Sequence, residues 1–206
     1  MLNPEELRFN CTRCGNCCTD KDTLVNITYL DILRIKKSLK LDLNETLDIL
    51  GFYVFEKKPS HDTYKKMVIT PIETERGLAF LALLKRSSGE CYFYDKKEAK
   101  CLIYSIRPMF CRTFPFSFSV SNRLTDKMDK NLKIIYTQKA KEYCLGISSD
   151  SPIIDFNFWF KIGSQTLQEL EKNFVFSENW NKKVRNRQLK PTAKNYIKMI
   201  LNSFEK

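Results

Sequence analysis

Histidine is nearly missing from this chain: His61 is the only one among 206 residues. It falls in the charged stretch Lys57-Lys58-Pro59-Ser60-His61-Asp62, where a solvated loop residue is expected rather than a ligand. A zinc site here would have to be all-thiolate, a donor set that suits a structural role better than water activation. Glycine and proline are also scarce, at 6 and 7 residues, which excludes collagen-like and low-complexity architectures. Gly77, Gly89, Gly146 and Gly163 stand isolated, so no glycine-rich nucleotide loop is present. The Cys-x-x-x-Cys-x-x-Cys spacing of the usual radical enzymes is absent too. No run of about 18 apolar residues exists, and no transmembrane helix is expected. The opening Met1-Leu2-Asn3-Pro4-Glu5-Glu6 is acidic and polar, unlike a secretory signal, so a cytoplasmic location is expected.

What is present belongs to a folded, basic protein. Hydrophobic residues make up 43% and charged residues 29%, and 35 basic against 24 acidic side chains leave a net charge of +11. These values exclude wholesale disorder. The length suits one large domain, or one domain with an added helical tail. We expect a cysteine-cluster metal-binding domain over residues 1–150 and C-terminal helices over 151–206, packed on the same domain.

The eight cysteines carry the chemical signal. Four of them lie within eight residues, as Cys11-Thr12-Arg13-Cys14-Gly15-Asn16-Cys17-Cys18. Structural disulfides would need an oxidising compartment, for which no export signal speaks. Cys-x-x-Cys lets the backbone turn so that both sulfurs face one ion, with Gly15 where such a turn often needs positive φ. Cys17 repeats the interval. Cys-x-x-Cys-x-x-Cys with a remote fourth cysteine is the spacing that wraps an iron–sulfur cube. Zinc sites more often use two separated Cys-x-x-Cys knuckles. A 4Fe-4S cluster is therefore favoured, with zinc as the alternative. Cys17 and Cys18 are neighbours whose side chains diverge, so one of them can serve a second site, bridge two metals or support the first. One site with spare thiols needs fewer assumptions than two.

The distal cysteines are Cys91, Cys101, Cys111 and Cys144. Cys91 heads an aromatic run, where any small apolar residue fits, and is expected to matter least. The metal candidates are thus Cys11, Cys14, Cys17, Cys18, Cys101, Cys111 and Cys144. Arg107 and Arg112 flank Cys111 and are candidates for contacting the cofactor, because guanidinium groups offset the negative charge of a four-thiolate centre and donate to sulfur. Pro108 fixes the chain just before Cys111.

Phe9-x-Cys11-x-x-Cys14-Gly15-x-Cys17-Cys18, then Cys101-x-Ile103-Tyr104-x-x-Arg107-Pro108-x-x-Cys111-Arg112-x-Phe114-Pro115 and Cys144-x-Gly146-Ile147, resemble the YkgJ-like, or CxxCxxCC, cysteine-cluster family. The resemblance runs from about Phe9 to Ile147. It implies zinc or iron chelation at the motif cysteines, and kinship with the flagellin lysine N-methylase, which carries the same cluster.

The pattern predicts an α+β fold: a small antiparallel sheet with flanking helices, a Cys-rich loop at the N-terminus and a helical C-terminal segment. Thr28 and Asp31 mark a helix start. A second helix is expected from Asn44 through Leu47, Leu50 and Val54, weakened by Gly51. Met67–Thr70 and Leu78–Leu84 read as strands, with a helix as the alternative for the second; Leu132–Tyr136 is a further strand candidate, and Phe114–Val120 alternates as a half-buried strand does. Cys91–Tyr94 should continue that sheet, and Leu102–Met109 should form a short helix. Phe156–Phe176 and Thr192–Phe204 read as amphipathic helices.

Between Asn179 and Ser203 stand Lys182, Lys183, Arg185, Arg187, Lys190, Lys194 and Lys198 with no acidic residue. That segment is a candidate polyanion or nucleic-acid surface, although no aromatics alternate with the charges as a stacking platform would need. Three functions follow: a metal- or iron–sulfur-binding protein of unassigned activity, an S-adenosylmethionine-dependent lysine N-methyltransferase-like enzyme, and a zinc-stabilised basic adaptor for nucleic acid. The residues leave open whether the chain is an enzyme.

Overall fold

The computed structural model describes residues 6–57, 59–60, 63–64, 67–120 and 132–203. His61 and Phe204 lie outside the described residues. The fold is α+β, with helices around small antiparallel sheets.

A one-turn helix α1 (Asn16–Thr19) follows the first cysteines. Helix α2 (Tyr29–Leu39) begins at a capping box in which Thr28 and Asp31 each satisfy the other's backbone N–H. Helix α3 (Leu43–Asp48) opens on a second box, between Asp42 and Glu45. It does not run on to Val54. Leu50–Val54 is strand β1, because Phe52, Tyr53 and Val54 are aromatic and β-branched residues that pair with a neighbouring strand.

That neighbour is β3 (Gly77–Leu83), the centre of a three-stranded sheet ordered β1-β3-β2, with Leu50 opposite Leu83 and Val54 opposite Ala79. Strand β2 is Ile72–Thr74 rather than Met67–Thr70; Pro71, which has no N–H to give a ladder, precedes it. Strands β4 (Tyr94–Asp95) and β5 (Lys100–Cys101) form a separate ladder pairing Tyr94 with Cys101, while Cys91 reaches back to bridge Lys85. Instead of a helix over Leu102–Met109 there is a single 3₁₀ turn, Tyr104–Ile106. Helix α4 (Met109–Thr113) then starts after Pro108 and carries Cys111. Strands β6 (Phe116–Val120) and β7 (Leu132–Tyr136) pair antiparallel and bury alternate side chains, Phe116, Leu132 and Ile134 among them.

Helix α5 (Gln138–Tyr143) leads to Cys144. Helix α6 (Phe156–Arg185) is longer than its apolar pattern suggests, at 30 residues or roughly 45 Å. It contributes to both hydrophobic cores. Trp159 near its start packs with Leu7, Phe116 and Ile154 in one core. Trp180 near its end lies with Ile32, Ile72 and Leu83 in the other, and its indole donates to the Glu73 carbonyl at 2.9 Å. Helix α7 (Ala193–Asn202) closes that second core with Tyr196, Ile197 and Ile200. Cys91 belongs to the second core, and Cys18 and Cys101 pack against it. Among the described residues no helix is long and apolar enough to cross a membrane.

Candidate metal centre

The first cysteines are held by backbone pairing to the segment that carries the last one. Phe9 N–H donates to Pro152, Asn10 N–H to Gly146 and Ile154 N–H to Leu7, at 3.0, 3.0 and 2.9 Å. The Tyr136 hydroxyl donates to the Arg8 carbonyl and accepts from its N–H, both at 2.7 Å. This strap sets Cys11 beside the loop of Cys144. Gly146 allows the approach, since a Cβ there would collide with the Asn10 carbonyl.

Gly15 then turns the chain at φ +82, and its carbonyl accepts from the amides of Cys18 (2.8 Å) and Thr19 (3.0 Å). The left-handed turn at glycine lets α1 present Cys17 and Cys18 in succession. The Asn16 amide group donates to the Tyr143 carbonyl at 3.1 Å, anchoring α1 to α5.

The distal thiols arrive from three elements. The amide of Cys91 donates to the Cys18 carbonyl at 2.8 Å. Cys101 is fixed by its pairing with Tyr94. Cys111 rides on α4, whose first amide, that of Met109, donates to the buried carboxylate of Asp31 at 2.8 Å. Asp31 also takes the Thr28 amide and hydroxyl and the Arg34 guanidinium. Arg34 pairs onward with both oxygens of Glu169, which also receives Arg112 at 3.4 Å. This network clamps α4 between α2 and α6.

Seven of the eight cysteines are partly buried or exposed, and Cys91 is buried. Together they line two adjoining cavities. Cys11, Cys17, Cys18, Cys91, Cys101 and Cys111 line one of about 490 Å³. Cys11, Cys14, Cys17, Cys111 and Cys144 line one of about 50 Å³. No described carboxylate or imidazole lines either. Arg13 and Arg107 line both, with guanidinium carbons 4.5 and 3.8 Å from the centroid of the Tyr104 ring. Arg112 lines neither, because its guanidinium faces Glu169.

Proximity shows in the thiol acidities. The Cys18 thiol hydrogen-bonds Cys17 and Cys101, which pulls Cys17 down to about 7 and Cys101 to about 6, with the Arg107 charge contributing in the same direction. Cys18 is pushed up by the same hydrogen bonds, to Cys101 first and then Cys17, and by desolvation. Desolvation raises Cys91, Cys111 and Cys144. Two acidified thiols beside an arginine in a part-buried cleft make a soft donor set. It suits zinc or iron and not the hard, oxygen-seeking cations. Among the described residues no three His, Cys, Asp or Glu side chains stand in a ready-made ligand array, so the cleft brings the thiols together without a closed coordination shell.

Cys91 shares the larger cavity with the motif cysteines, although its local sequence marks it as replaceable; its backbone bond to Cys18 spans too many residues for spacing to reveal. Asp31 reads as a helix cap, yet it also holds the helix of Cys111.

Over residues 10–145 the chain matches the CxxCxxCC family model, described as "Putative zinc- or iron-chelating domain", and it belongs to that family. The match supports metal binding. The chain is also 28% identical over 142 residues to the uncharacterised protein MJ0661 of Methanocaldococcus jannaschii, covering 68% of this chain. It spans 59% of that relative's length. No solved structure matches.

Proposed function

We propose that the chain holds a 4Fe-4S cluster on Cys11, Cys14 and Cys17, with Cys144 as the fourth thiolate. The observation that carries this reading is the Asn10–Gly146 backbone bond, which joins the two ends of the motif around the smaller cavity. Three cysteines at intervals of three plus a remote fourth is the ligand pattern of such cubes. Arg107, lining the same cavity, offsets the cluster's negative charge. When bound, the cluster supplies one-electron chemistry or holds the fold. Zinc on the same thiolates is the alternative, and it would make the site structural. Residues 151–206 act as the helical cover of the metal domain, since α6 contributes to both cores.

Anaerobic purification followed by a visible spectrum, with metal and sulfide analysis, tests the proposal. A brown protein absorbing near ~400 nm with iron and acid-labile sulfide in equal amounts supports it. A colourless protein with stoichiometric zinc supports the alternative. A protein with neither defeats both.

A further inference from the structure

The thiols outside that first set are also four in number: Cys18, Cys91, Cys101 and Cys111. All four line the larger cavity, where neither Cys14 nor Cys144 reaches. Cys18 is next to Cys17 in the chain, on a helical turn where successive side chains point about 100° apart. Cys17 lines both cavities, whereas Cys18 lines only the larger. The remaining three converge on Cys18 by separate routes. The Cys91 amide is bonded to the Cys18 carbonyl at 2.8 Å. Cys101 is fixed on the wall of the same cavity by its ladder pairing with Tyr94. Cys111, which lines the smaller cavity as well, reaches the larger one from the helix that Asp31 holds.

We infer that Cys18, Cys91, Cys101 and Cys111 form a second four-thiolate metal centre, adjacent to the first and separate from it. The inference rests on the proposed reading of Cys11, Cys14, Cys17 and Cys144 as one centre, and it assigns Cys91 a ligand's role. The larger cavity has room for it: about 490 Å³ lies within the range of ordinary cofactor sites. Its walls are apolar apart from the thiols, a few hydroxyl and amide groups, and the cations Arg13, Lys100, Arg107 and Lys139. An anionic four-thiolate centre is matched there by positive charge with no competing carboxylate. Consecutive Cα atoms are about 3.8 Å apart, so two centres rooted on Cys17 and Cys18 would be close neighbours. If both are cubes, they exchange electrons directly.

The test is metal stoichiometry on the full chain purified without oxygen, beside Cys91→Ser/Cys101→Ser and Cys14→Ser variants. Two centres predict about eight irons per unmutated chain if they are cubes, or about two zincs if they are mononuclear. Each variant should lose about half of that metal and keep the remainder. The dithionite-reduced chain, if it carries iron, should show a paramagnetic resonance spectrum broadened by two interacting spins, and the Cys91→Ser/Cys101→Ser variant an unbroadened one. One centre's worth of metal in the unmutated chain overturns the inference and leaves the first centre standing. Full metal retention in the Cys91→Ser/Cys101→Ser variant also overturns it. A chain with no metal overturns both readings. Because the unmutated chain is decisive alone, a variant that fails to fold does not blunt the test.

Discussion

Asp31 and Met109 are joined by a 2.8 Å hydrogen bond from the Met109 amide to the Asp31 carboxylate. A side chain with no exposed surface thus starts two helices, α2 and α4, and the second carries Cys111. Asp31→Ala removes the acceptor of the Thr28 and Met109 amides and leaves Arg34 with one carboxylate partner. Breaking a buried charged network of this kind costs about 3 kcal/mol. Urea unfolding should show that loss, and metal retention should fall with it. Thr28→Ala deletes only the α2 cap and should cost about 1 kcal/mol with metal content unchanged.

Arg107 and Arg112 should separate cleanly. Arg107 lines both thiol cavities, whereas Arg112 pairs with Glu169. Arg107→Met should lower the reduction potential of an iron–sulfur centre, since a nearby positive charge that favours the added electron is gone. Arg112→Met should leave the potential unchanged while lowering stability by about 1 kcal/mol, as a part-buried pair of modest geometry would. Redox titration and thermal melting of the two variants decide the matter; a shifted potential in Arg112→Met would contradict the assignment.

Gly15 is expected to tolerate no side chain. Its φ is +82, and a Cβ would meet the ring and hydroxyl of Tyr94. Left-handed backbone costs a non-glycine residue about 1–2 kcal/mol before any clash. Gly15→Ala should therefore melt earlier and retain less metal than the unmutated chain, measured by calorimetry and metal analysis.

Metal removal should act locally before it acts globally. Hydrogen exchange after chelation should speed at the amides of Asn10 and Cys91, which bind the cysteine-bearing segments to one another, and at that of Cys18, which closes the turn on Gly15. The buried region around Trp180 and Ile197 should keep its protection. Uniform loss of protection would mean instead that the metal holds the entire fold.

The parts of the fold that are local in sequence were legible from it. The Thr28–Asp31 capping box, the alternation of β6 and β7 and the long aromatic helix all express periods or spacings of a few residues. Leu50–Val54 was not legible as a strand: Leu47, Leu50 and Val54 fall at helical intervals, and only pairing with β3 decides against them. Strands β4 and β5, two residues each, are too short for alternation to register. The same division runs through the site. The clustered cysteines announce metal chemistry, but which distal thiol approaches which motif cysteine is set by backbone bonds such as Cys91 to Cys18 and Asn10 to Gly146. Those are choices of tertiary folding, and spacing cannot encode them.

The strap that binds Asn10 to Gly146 also imposes an order of events on the ribosome. Cysteines 11 to 18 emerge first, and they remain an open, solvent-washed loop until residues 146 to 154 have left the exit tunnel. At roughly 5–20 residues per second the wait is several seconds or longer. Through that interval a short run of four bare thiols is available to oxidants, stray copper or zinc, and other nascent chains. A cell making this protein must either keep those sulfurs reduced and guarded while translation finishes, or accept that part of each batch captures the wrong ion.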